Sequence, residues 1–387
     1  MIRREDLREL AQFRSEEGSA LSFYFQPGTP QNKSHREEVI LAKDLVREAM
    51  RELERNGNGK SAREDLDRIL QVAEGMHGNQ TQAKLVFACA GAGFWREFDI
   101  PARLPGSMLY VNQHFRLKPL AALVGSITRT VVVLVSRKQA RFFDMILHDI
   151  DEGEGFTANL PRRGRSDGFG GYDAGHAERH VENEAMHHFK QVGERLKSML
   201  ESGARKIIIG CRDEIWSELE AQLHTYVRQR VVGRVFLDPA AATLEEVRAE
   251  AQRVLDQGLA ERRQNLMREV LGEAQRNGRG AVGLKRVLRS LEAGEVQALL
   301  LGDRFSAVGV ECPNCGHLEL GTKPECAACG HATRELSDLA DRLIAIAVAN
   351  GIDIIYYEQD TEIDRVGNIA ALLRFRSDQS TTAKLAS

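Results

Sequence analysis

Cys312-Pro313-Asn314-Cys315-Gly316, followed by Cys326-Ala327-Ala328-Cys329-Gly330, is the stretch on which the reading of this chain turns. Two Cys-x-x-Cys pairs with ten residues between them can wrap one tetrahedral Zn²⁺ in four thiolates, a closed structural site without an open coordination position. Pro, Asn and Gly inside and after the pairs suit the tight turns that aim thiolates and amides inward. The alternative is four unrelated free thiols, which this spacing disfavours. Working outward, the stretch interrupts a strand–helix–strand pattern, so the expected ribbon, residues 310–332, is an insertion into a larger α/β domain.

A chain of 387 residues exceeds one ordinary core, and at about 100–200 residues per domain it holds two or three. Its 42% hydrophobic and 28% charged residues are those of an ordinary globular protein. The start, MIRREDLREL, carries charges where a signal peptide needs an apolar stretch, and the run Val131–Val135 is far too short to span a membrane. Metal-spaced cysteines with only Cys89 and Cys211 left over suit a reduced, cytoplasmic setting without a membrane partner. A net charge of −3 argues against a generic nucleic-acid coat protein, so any RNA contact must come from local patches.

Three parts and a tail are expected. Residues 1–123 hold a strand at Leu21–Phe25, a charged helix from about His35 to Glu54, a second helix from near Ala62, and strands at Lys84–Cys89 and Met108–Val111. Residues 128–272 open on Thr130–Leu134, a run so apolar that both faces of the strand must be covered. Lys206–Gly210 repeats the pattern. One helix should carry Trp216, Leu219, Leu223 and Tyr226, with both aromatics in the core, and a last helix Leu244, Val247, Ala251 and Val254. Residues 276–377 follow a flexible basic stretch, Arg276–Gly280. They hold a helix over Leu284–Leu291, a strand at Val296–Leu301, the ribbon, a helix marked by Leu336, Leu339, Leu343 and Ile346, and strands at Ile352–Tyr357 and Ala370–Phe375. Residues 378–387 are a polar, flexible tail.

Between the first middle strand and its long helix lies a loop, residues 153–176, with glycine at 164, 168, 170, 171 and 175. A loop this long is a functional segment or a solvated surface segment. Arg162, Arg163 and Arg165 cluster charge suited to phosphate, and Gly170-Gly171 permits close backbone approach. Beyond it His176, His180, Glu184 and His187 fall at spacings of four, four and three, on one helical face. They form either a metal site completed from elsewhere or, the preferred reading, surface residues supporting the loop.

With these features in view, the chain resembles the archaeo-eukaryotic class-one peptide chain release factor and Pelota superfamily, in its bacterial branch, as a release-factor-like or hibernation-factor-like member. The resemblance spans nearly the whole chain. GLKRVLRSLEAGEVQALLLG and NGIDIIYYEQDTEIDRVGNIAALLRFR are similar to the family's C-terminal, kink-turn-binding ribosomal-protein-like domain, in which a zinc ribbon is commonly inserted. The strand–long loop–long helix of the middle part resembles the catalytic domain. The first part, with LYVNQHF near its end, resembles the decoding domain. The implied fold is α/β, in three release-factor-like domains.

The resemblance sets Gly170, Gly171 and Tyr172 where release factors carry Gly-Gly-Gln in the peptidyl-transferase-centre loop. The glycines carry over and the glutamine does not; a phenol with a pKa near 10 is a poor base at neutral pH. Asn58-Gly59-Lys60-Ser61 falls where the family's stop-codon-reading Asn-Ile-Lys-Ser lies, yet a plain interhelical turn explains it better. The second decoding motif is reduced to Tyr110–Phe115, one residue short and without cysteine. The implied function is a translation factor that occupies the ribosomal A site beside a P-site tRNA, touching rRNA, in hibernation or rescue. A translational GTPase of the elongation factor Tu type is an implied partner. The alternative is a peptidyl-tRNA hydrolase working on stalled ribosomes through the same loop; which of the two holds decides whether the chain is an enzyme.

Overall fold

Aromatic and aliphatic side chains leave Leu21–Phe25 on both sides, and the first third of the chain is built around that strand. The computed structural model describes residues 2–15, 19–27, 35–55, 59–76, 83–100, 104, 106–120, 128–157, 173–357 and 362–377. Helix α1 (Arg4–Gln12), which the sequence reading did not single out, begins where the Asp6 carboxylate accepts from the Arg3 amide at 2.7 Å. Strands β1 (Ala20–Phe25), β2 (Ala83–Cys89), β3 (Phe94–Ile100) and β4 (Met108–Asn112) form an antiparallel sheet in the order β3-β2-β1-β4. Helices α2 (His35–Arg55) and α3 (Gly59–Gly75) cover one face, where Leu21, Phe23 and Phe25 meet Ala42, Leu53, Leu66 and Ile69. Behind the sheet Phe13, Phe87, Phe94 and Phe115 pack ring to ring, centroids 4.4 to 5.3 Å apart.

The middle sheet is mixed. Strands β5 (Thr130–Val135), β6 (Gln139–Ile146), β7 (Asp149–Glu152) and β8 (Phe156–Thr157) are consecutive antiparallel neighbours around β6, whereas β9 (Lys206–Gly210) and β10 (Val231–Val235) run parallel to β5. The order is β10-β9-β5-β6-β7. Helices α4 (Asp173–Glu201), α5 (Asp213–Gln222) and α6 (Thr225–Arg228) cover one face, with Val131 and Val133 meeting Phe189, Val192 and Leu196. Helix α7 (Leu244–Gln275) covers the other, where Val132, Leu134 and Ile208 meet Val247 and Ala251. The continuous apolar runs thus have both faces occupied, as expected.

The stripe Trp216–Tyr226 is not one helix. Leu223 is extended at φ −80°, ψ 131°, and His224 starts a new helix by accepting from the Tyr226 amide at 3.1 Å. Trp216 and Tyr226 still pack against the core.

The last third forms a sheet β11-β17-β12-β16 from β11 (Gly280–Val282), β12 (Val296–Gly302), β16 (Asp353–Tyr357) and β17 (Ile369–Leu373), with β12 and β16 parallel. Between β12 and β16 come β13 (Gly309–Glu311), β14 (Leu318–Leu320), β15 (Arg334–Leu336) and α9 (Leu339–Ala349). Helix α8 (Leu284–Glu292) precedes β12. The end of α7 packs on this sheet through Met267 and Val270, and Tyr357 donates its hydroxyl to the Arg263 carbonyl at 2.8 Å. Two expectations are corrected here. Leu336 belongs to a strand paired with Gly309, not to the following helix. Arg276–Gly280 is an ordered turn, with the Glu273 carboxylate accepting from the Arg279 amide at 2.9 Å and β11 starting at Gly280.

Contacts divide the chain into two units, Met1–Ile127 with Arg263–Ser387, and Thr128–Arg262. The division falls within α7.

Candidate functional site

The four cysteines converge. Cys312, Cys315, Cys326 and Cys329 place their sulfurs within 4.8 Å of one another, the spacing of a four-thiolate metal site. Both pairs continue Gly-His, and the backbone repeats accordingly. The Cys312 amide donates to the His317 carbonyl and Gly316 to Cys312, each at 2.9 Å; Cys326 donates to His331 at 2.8 Å and Gly330 to Cys326 at 2.9 Å. Gly316 and Gly330 sit at φ +74° and +72°, which a side chain would disfavour. The Ala328 amide points at the Cys326 sulfur from 3.4 Å, a donor that favours thiolate. The three short strands β14-β13-β15 hold both turns.

The residue before Cys312 ties this module to the first third of the chain. Glu311 is only 2% exposed. Its carboxylate lies 2.8 Å from Arg342, 3.2 Å from Arg334 and 3.4 Å from Nε2 of His114, whose Nδ1 faces the Phe13 carbonyl at 3.0 Å. Burial works to raise its pKa, but the His114 contact and the arginine charges more than offset this and hold it at about 2. Nearby, Lys118 donates to Asp338 at 2.7 Å and to the Phe305 carbonyl at 2.8 Å, Arg116 meets Asp341 at 3.2 Å, and Arg14 donates to the Pro313 carbonyl at 3.0 Å.

In the middle unit, the loop has a defined stem. β8 pairs Thr157 with Gln139 and Phe156 with Ala140 on one side, and α4 starts at Asp173 on the other. A Cβ on Gly155 would stand 2.6 Å from the Ala140 carbonyl, so the chain enters the stem where only glycine fits. Beneath it lies His188, 2% exposed, its ring edge-on to Phe156 at 5.3 Å and beside the Ser136 and Gln139 backbone, with no good hydrogen bond at either nitrogen. Burial lowers its pKa, so the ring is held neutral.

The sequence reading did not single out His188. Its signal was positional, since Ala185, His188, Val192 and Leu196 share the buried stripe of α4.

Arg162, Arg163, Arg165, Gly170, Gly171 and Tyr172 lie outside the described residues, as do the side chains of His176 and His180. Glu184 is half-buried and His187 exposed, and among the described residues only the four cysteines form a cluster able to hold a metal. Asn58 is outside the described residues, while Gly59, Lys60 and Ser61 form the first turn of α3. Tyr110 stacks under the Arg116 guanidinium at 4.1 Å, and Phe115 is sealed in the aromatic cluster.

Known proteins similar to this chain fall into three groups, a family model, a curated protein and solved structures. The model of Bacterial archaeo-eukaryotic release factor family 10 matches residues 116–263. Peptide chain release factor subunit 1 of Archaeoglobus fulgidus is 27% identical over 303 residues, 72% of this chain and 73% of that protein. Among solved structures, the archaeal translation termination factor aRF1 aligns over 97% of this chain and 99% of its own, at 16% identity and a TM-score of 0.27. Dom34 of S. cerevisiae aligns over 76% and 79%, at 14% identity and a TM-score of 0.41. Pelota of Archaeoglobus fulgidus aligns over 97% and 93%, at 12% identity and a TM-score of 0.32.

Proposed function

This chain belongs to the release factor and Pelota superfamily, and from that premise we propose that it is a ribosome-associated translation factor that occupies the A site in hibernation or rescue. The observation that carries the reading is the similarity to an archaeal release factor subunit over 72% of the chain, joined to Tyr172 where that family's loop carries glutamine. A scaffold that keeps Gly170-Gly171 and loses the glutamine keeps the means to enter a crowded RNA site while losing the side chain that helps position water.

In this reading the first third reaches the decoding centre without reading a stop codon. Gly170, Gly171 and Tyr172 approach the P-site tRNA end, and Arg162, Arg163 and Arg165 contact rRNA phosphate. A GTPase of the elongation factor Tu type delivers the protein. The four cysteines hold Zn²⁺, which closes the two turns as a structural ion. Residence is cytoplasmic in this reading; among the described residues no helix is long and apolar enough to cross a membrane.

A second reading, peptidyl-tRNA hydrolysis, is favoured by one observation. The chain entering the loop is paired to β6 through β8 and packed over the buried His188, the anchored stem that a loop acting through its backbone requires. The test is a reaction with ribosomes bearing labelled peptidyl-tRNA and an empty A site, following pelleting and peptide release together. Pelleting without release is expected, with partial release restored by Tyr172→Gln. Release by the unaltered chain establishes the hydrolase, and absence of pelleting at moderate salt ends both readings.

A further inference from the structure

Outside the carboxyl ends of the parallel strands β5, β9 and β10 lies a cleft of ≈ 910 Å³, walled by the turns that follow them, Val135–Lys138, Cys211–Ile215 and Phe236–Pro239. Parallel strands flanked by helices leave a crevice at this end, and the volume is that of a small-molecule site.

Three features give the cleft a chemistry. Phe236 stands in water, 68% exposed, on a fixed mount. The Arg234 guanidinium backs its ring at 5.4 Å and the Trp216 ring at 4.5 Å, and is itself pinned by Asp213 at 2.8 Å. Second, Lys138 and Arg212 are exposed, and among the described residues no carboxylate pairs with either; Arg137, by contrast, is tied to Glu218 at 2.7 Å. Third, Glu214 and Asp238 also line the cleft, so it offers acceptors as well as cations.

The walls are held in place. Arg141 donates to the carbonyls of Pro239 at 3.0 Å and Ala242 at 2.8 Å, and the Asp238 carboxylate accepts from the Ala240 amide at 2.9 Å.

We propose that this cleft binds a ribonucleotide unit. The base stacks on the free face of Phe236, the phosphate meets Lys138 and Arg212, and Glu214 or Asp238 accepts from the ribose hydroxyl or a base N–H. A purely cationic groove would suit any polyanion, whereas a groove with an aromatic face, two free cations and two carboxylates suits a nucleotide. The turn that supplies Lys138 leads directly into Gln139, the residue paired with Thr157 in the loop stem. The inference rests on the ribosome reading only for the source of the nucleotide, an RNA strand rather than a free mononucleotide.

The test uses the full chain and a fluorescein-labelled hexaadenylate followed by anisotropy, with AMP and hexadeoxyadenylate as competitors. Phe236→Ala should weaken hexamer binding about ten-fold or more, as loss of one stacked base does, while Phe236→Trp retains it. Lys138→Glu with Arg212→Glu should flatten the salt dependence. Competition by AMP at concentrations near those of the hexamer assigns a free nucleotide as the ligand; competition by neither AMP nor hexadeoxyadenylate assigns an RNA strand, and competition by hexadeoxyadenylate as strong as by unlabelled hexaadenylate overturns the ribonucleotide assignment. Absence of hexamer and AMP binding at low salt, or binding unchanged in Phe236→Ala, overturns the proposal, since the latter places the contact on the loop arginines. Pelleting with ribosomes on the same preparations separates the two readings. A chain that pellets but binds no nucleotide refutes the cleft alone, and one that binds nucleotide without pelleting refutes the ribosome reading alone.

Discussion

Charge is used in opposite ways in two regions of this molecule. Where the first third meets the cysteine module, the central charges are enclosed by partners, Glu311 by Arg342, Arg334 and His114, and Lys118 by Asp338. At the strand ends of the middle unit, Lys138 and Arg212 stand exposed beside the exposed ring of Phe236. The first arrangement is a closed joint. Its ions gain nothing from a ligand, and removing one leaves the others buried and unpaired. The second is open, with groups whose interactions are still to be made.

The contrast breaks most severely at the four cysteines, which we propose hold zinc. A structural zinc contributes roughly 10–16 kcal/mol in zinc-finger peptides, so chelation should melt both Cys-x-x-Cys-Gly turns. Because Glu311 precedes Cys312 and Pro313 follows it, the joint should loosen too. Hydrogen exchange would show lost protection over residues 312–332 together with residues 113–118. Melting of the module with residues 113–118 still protected would mean that the joint stands without the metal. Cys312→Ser should reproduce chelation.

A smaller break removes the central carboxylate. Glu311→Ala leaves Arg334 and Arg342 facing each other in a buried joint, at a cost of about 3–5 kcal/mol by urea unfolding. Glu311→Gln keeps the shape and some hydrogen bonds, and should cost less. If both variants unfold like the parent, the charges are solvated in solution and the joint is not closed.

In the middle unit the corresponding test is of pH. The depressed pKa of His188 means that the folded state holds its proton less well than the unfolded chain. Well above pH 6.5 both states are largely deprotonated. As pH falls below the unfolded value near 6.5 the unfolded chain takes up a proton that the fold refuses, and stability drops. His188→Phe should flatten the profile below about pH 6.5, read by thermal melting. The same profile in both proteins would place the pH dependence elsewhere.

What the sequence made legible follows from the range of the forces involved. β5 and β9 were readable because a strand buried on both faces is a nearly continuous apolar run, β1 because Leu21–Phe25 is stopped by Pro27-Gly28, and the cysteines because ligand spacing is local. The break after α5 was not. Trp216, Leu219, Leu223 and Tyr226 keep helical spacing across it, and only the cap that His224 makes separates the two helices. The Glu311 joint was illegible for a different reason, since His114 and Arg342 lie far from it in sequence and no periodicity joins them. His188 was hidden by type, a polar residue at a core position of α4. The cleft needed the return of three separate turns to one place, which only the parallel topology provides.

The smallest effect expected is at Lys60. By resemblance it sits in a codon-reading motif. In the fold, Gly59–Ser61 is the opening turn of α3, whose packed residues begin at Ala62, Leu66 and Ile69. A residue there that only starts a helix should tolerate Lys60→Ala within about 0.5 kcal/mol of stability. Ribosome pelleting should be unchanged whether or not a stop codon occupies the A site. If pelleting instead falls only on stop-programmed ribosomes, the first turn of α3 reads the codon after all, and the first third is a decoding domain in use rather than one kept for its shape.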